Sequence, residues 1–148
     1  MKDASGVATG ATHPAPSSVS PESIEWLVPG LYPQKIEAFL EATLPAIPNR
    51  LSVKVRLGRK KTDEIITLLP IFNQYPLDEV IVHPRTGQQM YDGEPNLDMF
   101  EKCLERSGHT LVYNGDINDL ATFTLFSQRF KTVNRWMIGR GALINPFL

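Results

Sequence analysis

The chain has 148 residues, 42% apolar and 21% charged, enough for one domain with a sizeable core. Lys and Arg number 15 against 16 Asp and Glu, so a net charge of −1 gives no global field that would advertise a nucleic-acid partner. A single cysteine, Cys103, excludes a disulfide framework and a multi-cysteine metal site within the chain and fits a reducing compartment. No window approaches the ~18 apolar residues of a membrane span, and the N-terminus lacks the apolar core of a signal peptide. The default location is the cytoplasm.

Residues 1–20 consist mainly of Ala, Ser, Thr, Gly and Pro and predict a poorly ordered tail. Ser20-Pro21-Glu22 reads as the start of a short helix toward Trp26 and Leu27, ended by Pro29-Gly30. Residues 1–31 are therefore set apart as a low-complexity segment, and 32–148 as the folded domain. Ile36, Phe39, Leu40 and Leu44 fall on one helical face, with Lys35, Glu37 and Glu41 on the other. Leu51 to Leu57 alternates and is rich in β-branched residues, closing at Gly58. Thr62 is placed to cap a helix carrying Ile65, Leu68, Leu69 and Phe72, in which Pro70 predicts a kink or an early end.

Glu79 to Val82 reads as a short strand leading to His83, followed by a loop with Gly87, Tyr91 and Gly93. Asn96 caps a helix with Leu97, Phe100 and Leu104; its Cys103 reads as a buried structural thiol, since nothing beside it would lower its pKa. Thr110 to Tyr113 is a third strand running into Asn114-Gly115-Asp116. Leu120, Phe123 and Phe126 mark another helix, and Trp136 to Ile138 a fourth strand ending in Gly139-Arg140-Gly141. Strands alternating with helices predict parallel pairing through right-handed crossovers, an α/β fold.

Polar residues recur where these strands end. Lys54, His83, Asn114 and Gly139 are separated by 29, 31 and 25 residues, close to the ~30 that one βα unit of a (β/α)8 barrel occupies. A whole barrel takes about 250 residues, so the expected fold is a partial TIM barrel of about four βα units. Such barrels place their chemistry at the carboxyl ends of the strands, and often bind phosphate with the loops after the last two. Gly139 and Gly141 suit close backbone approach to a phosphate, and Arg140 supplies a charge.

Lys54 has two readings, a lysine reaching the rim or a fixed positive charge beside a developing anion. His83 at a strand end faces the site; a metal reading is poor, since His13 and His109 lie elsewhere. Arg85 and Tyr91 in the long loop either clamp and stack on a base or are simply solvated. Arg50, Lys54, Arg56, Arg59, Lys60 and Lys61 place six positive charges in twelve residues, which reads as a solvated basic loop or a polyanion contact.

Four stretches in order carry a resemblance: Val53 to Gly58, Val82 to Gly93, Tyr113 to Ile117 and Ile138 to Phe147. From about Tyr32 onward the chain resembles the tRNA-dihydrouridine synthases, FMN-dependent barrel enzymes, and matches the second half of their catalytic barrel. The resemblance implies reduction of the C5–C6 double bond of uridine in tRNA, with FMN as cofactor, NADPH as reductant and a cysteine as proton donor. It implies that Lys54 and His83 approach the flavin ring and that Asn114, Gly115, Asp116, Gly139 and Arg140 hold its phosphate. It also implies that Arg56, Arg85 and Tyr91 lie near the tRNA. The family's donor cysteine has no counterpart here, Cys103 lying on a helix, so no catalytic residue is assigned. Other readings are a different FMN- or sugar-phosphate-binding barrel, or a non-catalytic half-barrel that binds RNA or self-associates through its open sheet edges.

Overall fold

The computed structural model describes residues 33–147; the expected tail and the short helix near Trp26 lie outside the described residues. Helix α1, Pro33–Thr43, runs into a 3-10 turn at Leu44–Ala46 and buries Ile36 and Leu40. There follow β1 Leu51–Gly58, α2 Ile65–Phe72, β2 Leu77–Thr86, α3 Leu97–Arg106, β3 Thr110–Asn114, α4 Leu120–Arg129, β4 Trp136–Met137 and α5 Arg140–Ile144. The four strands form one parallel sheet in the order β1-β2-β3-β4, each joined to the next by a helix. This is the expected α/β arrangement, four βα units of the kind a (β/α)8 barrel repeats. Among the described residues no helix is long and apolar enough to cross a membrane.

The helix starts are made locally. Asn96 accepts the Met99 N–H at 2.9 Å, as the sequence predicts, and Asp119 accepts that of Thr122 at 2.7 Å. The expected Thr62 cap is not formed. Glu64 turns its carboxylate back instead, taking the backbone N–H groups of Arg59, Lys60 and Lys61 at 2.8, 3.2 and 2.9 Å. Pro70 has no N–H for the Ile66 carbonyl, and α2 ends two residues later at Phe72.

Strand β2 is far longer than the Glu79–Val82 run predicts, reaching Thr86 through His83, Pro84 and Arg85. Its register against β1 pairs Arg56 with His83 and then Gly58 with Thr86, so β2 carries one extra residue there. Pro84 sits at this bulge, where a missing N–H removes no ladder bond. Lys54 is likewise inside β1 rather than at its end, because β1 continues alongside β2 to Gly58.

Side-chain alternation divides the sheet. Val55, Leu57, Val80, Val82, Leu111 and Tyr113 face the helices and form the core with Ile65, Leu68, Phe100, Phe126 and Phe130. Around Tyr113 the rings of Phe100, Phe126, Phe130 and Trp136 lie at 5.0, 5.2, 5.6 and 5.6 Å between centroids, within the range where aromatic pairs attract beyond simple burial. Cys103 is fully buried in this core, and burial pushes its thiol up to about 12. Tyr113 is also fully buried, with its hydroxyl lacking a protein partner. Phe100→Ala should therefore cost about 3–5 kcal/mol through the cavity it leaves. Tyr113→Phe, which removes only an unpaired hydroxyl, should raise stability by about 1 kcal/mol. Urea unfolding of both variants checks the pair, and a Tyr113→Phe loss above that amount would show that the hydroxyl is satisfied in solution.

Candidate functional site: a cationic cleft at the carboxyl ends of the strands

The residues alternating with the core set point to the other side of the sheet. In register, Lys54 lies opposite Ile81 and Ile81 opposite Val112; one layer further along, Arg56 lies opposite His83. Asn114 ends β3 opposite Met137, and its Nδ2 donates to the Met137 carbonyl at 2.8 Å. These side chains and the turns after β3 and β4 line a cleft of about 150 Å³. Its walls contain Lys54, Arg56, His83, Tyr91, Asn114, Gly115, Asp116, Gly139 and Arg140. Nine of the ten residues singled out in the sequence thus meet in one cavity.

Arg85 is the exception. It belongs to β2 rather than to the long loop, and its side chain is only 3% exposed. Its Nη2 donates to the Asp116 carboxylate at 2.5 Å and to the Gly93 carbonyl. Arg85 is therefore a strut between β2, the turn after β3 and the Tyr91 loop. Its expected place as a loop residue is corrected, because the bulge at Pro84 prolongs the strand past it.

Asp116 also accepts a hydrogen bond from Arg140 at 3.0 Å. The Arg85 hydrogen bond, followed by the charges of Arg85 and Arg140, holds the Asp116 carboxyl below the usual range against the opposing effect of burial. Arg140 lies over the ring of Tyr91 at 4.5 Å, and Arg56 approaches the same ring at 5.6 Å. Arg56 further donates to the carbonyls of Thr86 and Met90 at 2.9 and 2.6 Å. The Tyr91 loop is thus held at the cleft by Arg140 and Arg56 against its ring and by Arg85 at the Gly93 carbonyl.

His83 is 5% exposed, and its Nε2 is buried with no hydrogen-bond partner. Its pKa falls to about 4, first through burial and then through the charges of Arg56, Lys54 and Arg85, against a weaker pull from Asp116. At neutral pH the ring is uncharged, with an unpaired nitrogen in a cleft where Lys54, Arg56 and Arg140 outnumber the one carboxylate, Asp116. Lys54 is itself lowered, by burial first and by Arg56 second. Orphaned polar atoms beside several cations are what an anionic ligand with hydrogen-bonding edges would complete.

The glycines divide by cause. A Cβ on Gly139 would meet nothing within 4 Å, so the space beside it is open. One on Gly141 would lie 2.0 Å from the Ile117 carbonyl oxygen, so Gly141 is required by the chain's own packing rather than by a ligand. Asn118 and Met137 line the cleft without having been singled out. Met137 carries no readable signal, since β4 has two residues and no period; Asn118 follows Asn114-Gly115-Asp116 closely enough that extending the turn would have found it.

Sequence comparison places this cleft in a family. The dihydrouridine synthase family model matches residues 31–148. Among curated proteins, the chain is 26% identical over 118 residues to the tRNA-dihydrouridine synthase B of Pasteurella multocida, covering 79% of this chain and 35% of that one. It is 33% identical over 109 residues to the probable tRNA-dihydrouridine synthase of Rickettsia prowazekii, covering 73% and 33%. A rice tRNA-dihydrouridine(47) synthase [NAD(P)(+)]-like protein matches at 28% over 122 residues, 78% of this chain and 17% of that one. The chain spans about a third of the length of the two bacterial relatives. With the match running from the residue before Tyr32 to Leu148 and taking in every wall of the cleft, the chain belongs to the dihydrouridine synthase family.

Proposed function

We propose that residues 32–148 are part of an FMN-binding barrel domain and supply one face of the cofactor site in an enzyme that reduces uridine to 5,6-dihydrouridine in tRNA. The observation that carries this reading is the unpartnered Nε2 of a neutral His83, held in a cleft with Lys54, Arg56 and Arg140. A bound flavin would supply the hydride chemistry that saturation of a pyrimidine double bond requires, with NADPH as its reductant. The chain's own residues bind and orient. Lys54 presents a fixed positive charge toward the cleft, which favours an electron-rich ring. His83 offers a neutral ring nitrogen to a hydrogen-bonding edge, and Asn114, Gly115, Asp116, Gly139 and Arg140 form the end that would hold the phosphate. Tyr91 and Arg56 stand at the mouth, where the tRNA base would enter after flipping out of its stack. Arg85 serves the same mouth indirectly by holding the Tyr91 loop. Such a role carries a cytoplasmic location with it.

The proton donor is not Cys103. That thiol lies in the core on the helix side of the sheet, away from the cleft. The β1 edge has no partner strand among the described residues and adjoins an apolar groove of about 180 Å³ that includes Phe39, Leu51 and Val53. An unpaired edge beside apolar surface recruits more sheet. We infer that the 148-residue chain by itself self-associates. Sedimentation at micromolar concentration should show species above the monomer mass, and a monodisperse monomer that unfolds cooperatively would refute this.

Two measurements bear on the cofactor site. A charge-assisted hydrogen bond contributes about 1.5–3 kcal/mol, roughly one to two decades of affinity. Arg140→Ala should weaken FMN by that factor and leave riboflavin, which lacks the phosphate, nearly unchanged in a flavin fluorescence titration. Equal losses for both ligands would assign Arg140 to the Tyr91 loop instead. His83 has a folded pKa of about 4, below the ordinary value of 6.5. The unfolded chain therefore binds more protons across that interval, so the stability contributed by neutral His83 is complete above pH 6.5 and is lost as the pH falls toward 4. NMR titration of the His83 ring should give a midpoint near 4, rising when Arg56 is replaced by Gln and Lys54 by Met but staying below 6.5, because burial, the largest cause, remains.

A further inference from the structure

The six cations clustered in the sequence between residues 50 and 61 do not form one patch. Arg50 sits before β1 and pairs with Asp78 at 2.7 Å, at the amino end of the strand. Lys54 and Arg56 line the cleft. Arg59, Lys60 and Lys61 remain, all exposed, directly after β1 ends at Gly58, and among the described residues none of their side chains makes an ion pair or a hydrogen bond. An eight-residue strand is about 26 Å long, so Arg50 and this triplet stand at opposite ends of β1.

The triplet is held in place. One carboxylate, that of Glu64, takes all three of its backbone N–H groups. The backbone folds so tightly over that carboxylate that a Cβ on Gly58 would lie 2.2 Å from the Lys61 carbonyl oxygen. The Tyr91 loop hangs from the same segment: the Gly87 N–H donates to Gly58 at 2.7 Å and the Gln88 N–H to Arg59 at 2.9 Å. Glu64 thus accepts its hydrogen bonds from the main chain while also feeling the charge of Lys61, and the three cationic side chains lie exposed on a turn hydrogen-bonded to the Tyr91 loop.

We propose that Arg59, Lys60 and Lys61 form a phosphodiester-docking ridge that grips the RNA backbone beside the base inserted into the cleft. This rests on the reading of the cleft as a tRNA-modifying site. Three exposed cations, with the single Glu64 carboxylate in their turn, make a local field rather than a global one on a chain of net charge −1, and contacts to phosphate oxygens set register and orientation without reading sequence. The adjoining Tyr91 and Arg56 would then receive the base, and the ridge would hold the strand it comes from.

The salt dependence of binding tests this. Each phosphate contact contributes about 0.7–0.9 to the slope of log affinity against log salt. Binding of an unmodified tRNA transcript to the wild-type chain and to R59A/K60A/K61A, followed by fluorescence anisotropy from 50 to 200 mM salt, should show the slope falling in magnitude by about 2 in the variant. FMN affinity and the thermal midpoint should be unchanged, since none of the three side chains touches the cleft or the core. Arg50→Ala, which removes a cation of the same sequence cluster at the far end of β1, should keep the wild-type slope. An unaltered slope in the triple variant overturns the ridge and leaves tRNA binding by the cleft standing. A per-charge effect of Arg50→Ala equal to that of the triplet overturns it too, by making the contribution one of net charge. Absence of tRNA binding by the wild-type chain overturns the ridge together with the RNA reading on which it rests.

Discussion

One carboxylate ties the cleft together. Asp116 stands in the turn after β3 with a φ of 44°, a left-handed conformation that Asp tolerates better than most residues. From there it receives Arg85 from β2 and Arg140 from the start of α5. Arg85 is nearly sealed from solvent, and leaving a buried charge unpaired costs about 3–5 kcal/mol. The Arg85–Asp116 pair therefore keeps the charge of Arg85 satisfied where β2 carries it into a buried position. The rest follows from it: Arg85 also holds the Gly93 carbonyl, so the loop that carries Tyr91 depends on the same contact.

This arrangement decides which charges a ligand meets. Arg140 is half-exposed, shared between the Asp116 carboxylate and the Tyr91 ring. Arg56 spends donors on the carbonyls of Thr86 at the end of β2 and Met90 in the loop, and Lys54 stands on β1, the edge strand among the described residues. Asp116 cancels part of this positive field close to itself, but burial first and then the charges of Arg56, Lys54 and Arg85 outweigh it at His83, so the ring stays neutral. The cleft thus presents an unpartnered neutral ring nitrogen at His83 and a half-exposed guanidinium at Arg140, both near one carboxylate.

The sheet acts as a partition. Its helix side is a continuous apolar and aromatic cluster around Tyr113, and its other side carries Lys54, Arg56, His83, Arg85 and Asn114. A parallel strand has a side-chain period of two, so each strand contributes to both without compromise. The family match covers both faces, while the chain itself spans only about a third of its bacterial relatives. The edge at β1 and the groove beside it belong to the face where a barrel continues its sheet.

Alternation of strand and helix patterns, the ~30-residue spacing and the Asn96 cap were legible in the sequence, because periodicity and capping are local properties. So was the place of nine of the thirteen residues that line the cleft, which the resemblance assigns and which the spacing of motifs along a parallel sheet brings to one end. The length of β2 was not legible: the bulge at Pro84 and the burial of Arg85 depend on the pairing with β1 and on Asp116, 31 residues away. Nor was the splitting of the basic cluster, because adjacency in sequence says nothing about which end of a 26 Å strand a charge occupies. The Glu64 turn follows the same rule, its carboxylate reaching backward to the main chain where Thr62 was the obvious cap. The sequence by itself determined the elements, their order and the residue types at the site; the tertiary structure decided which of those residues are struts and which line the cleft, because that choice depends on long-range charge pairing and register that no local pattern encodes.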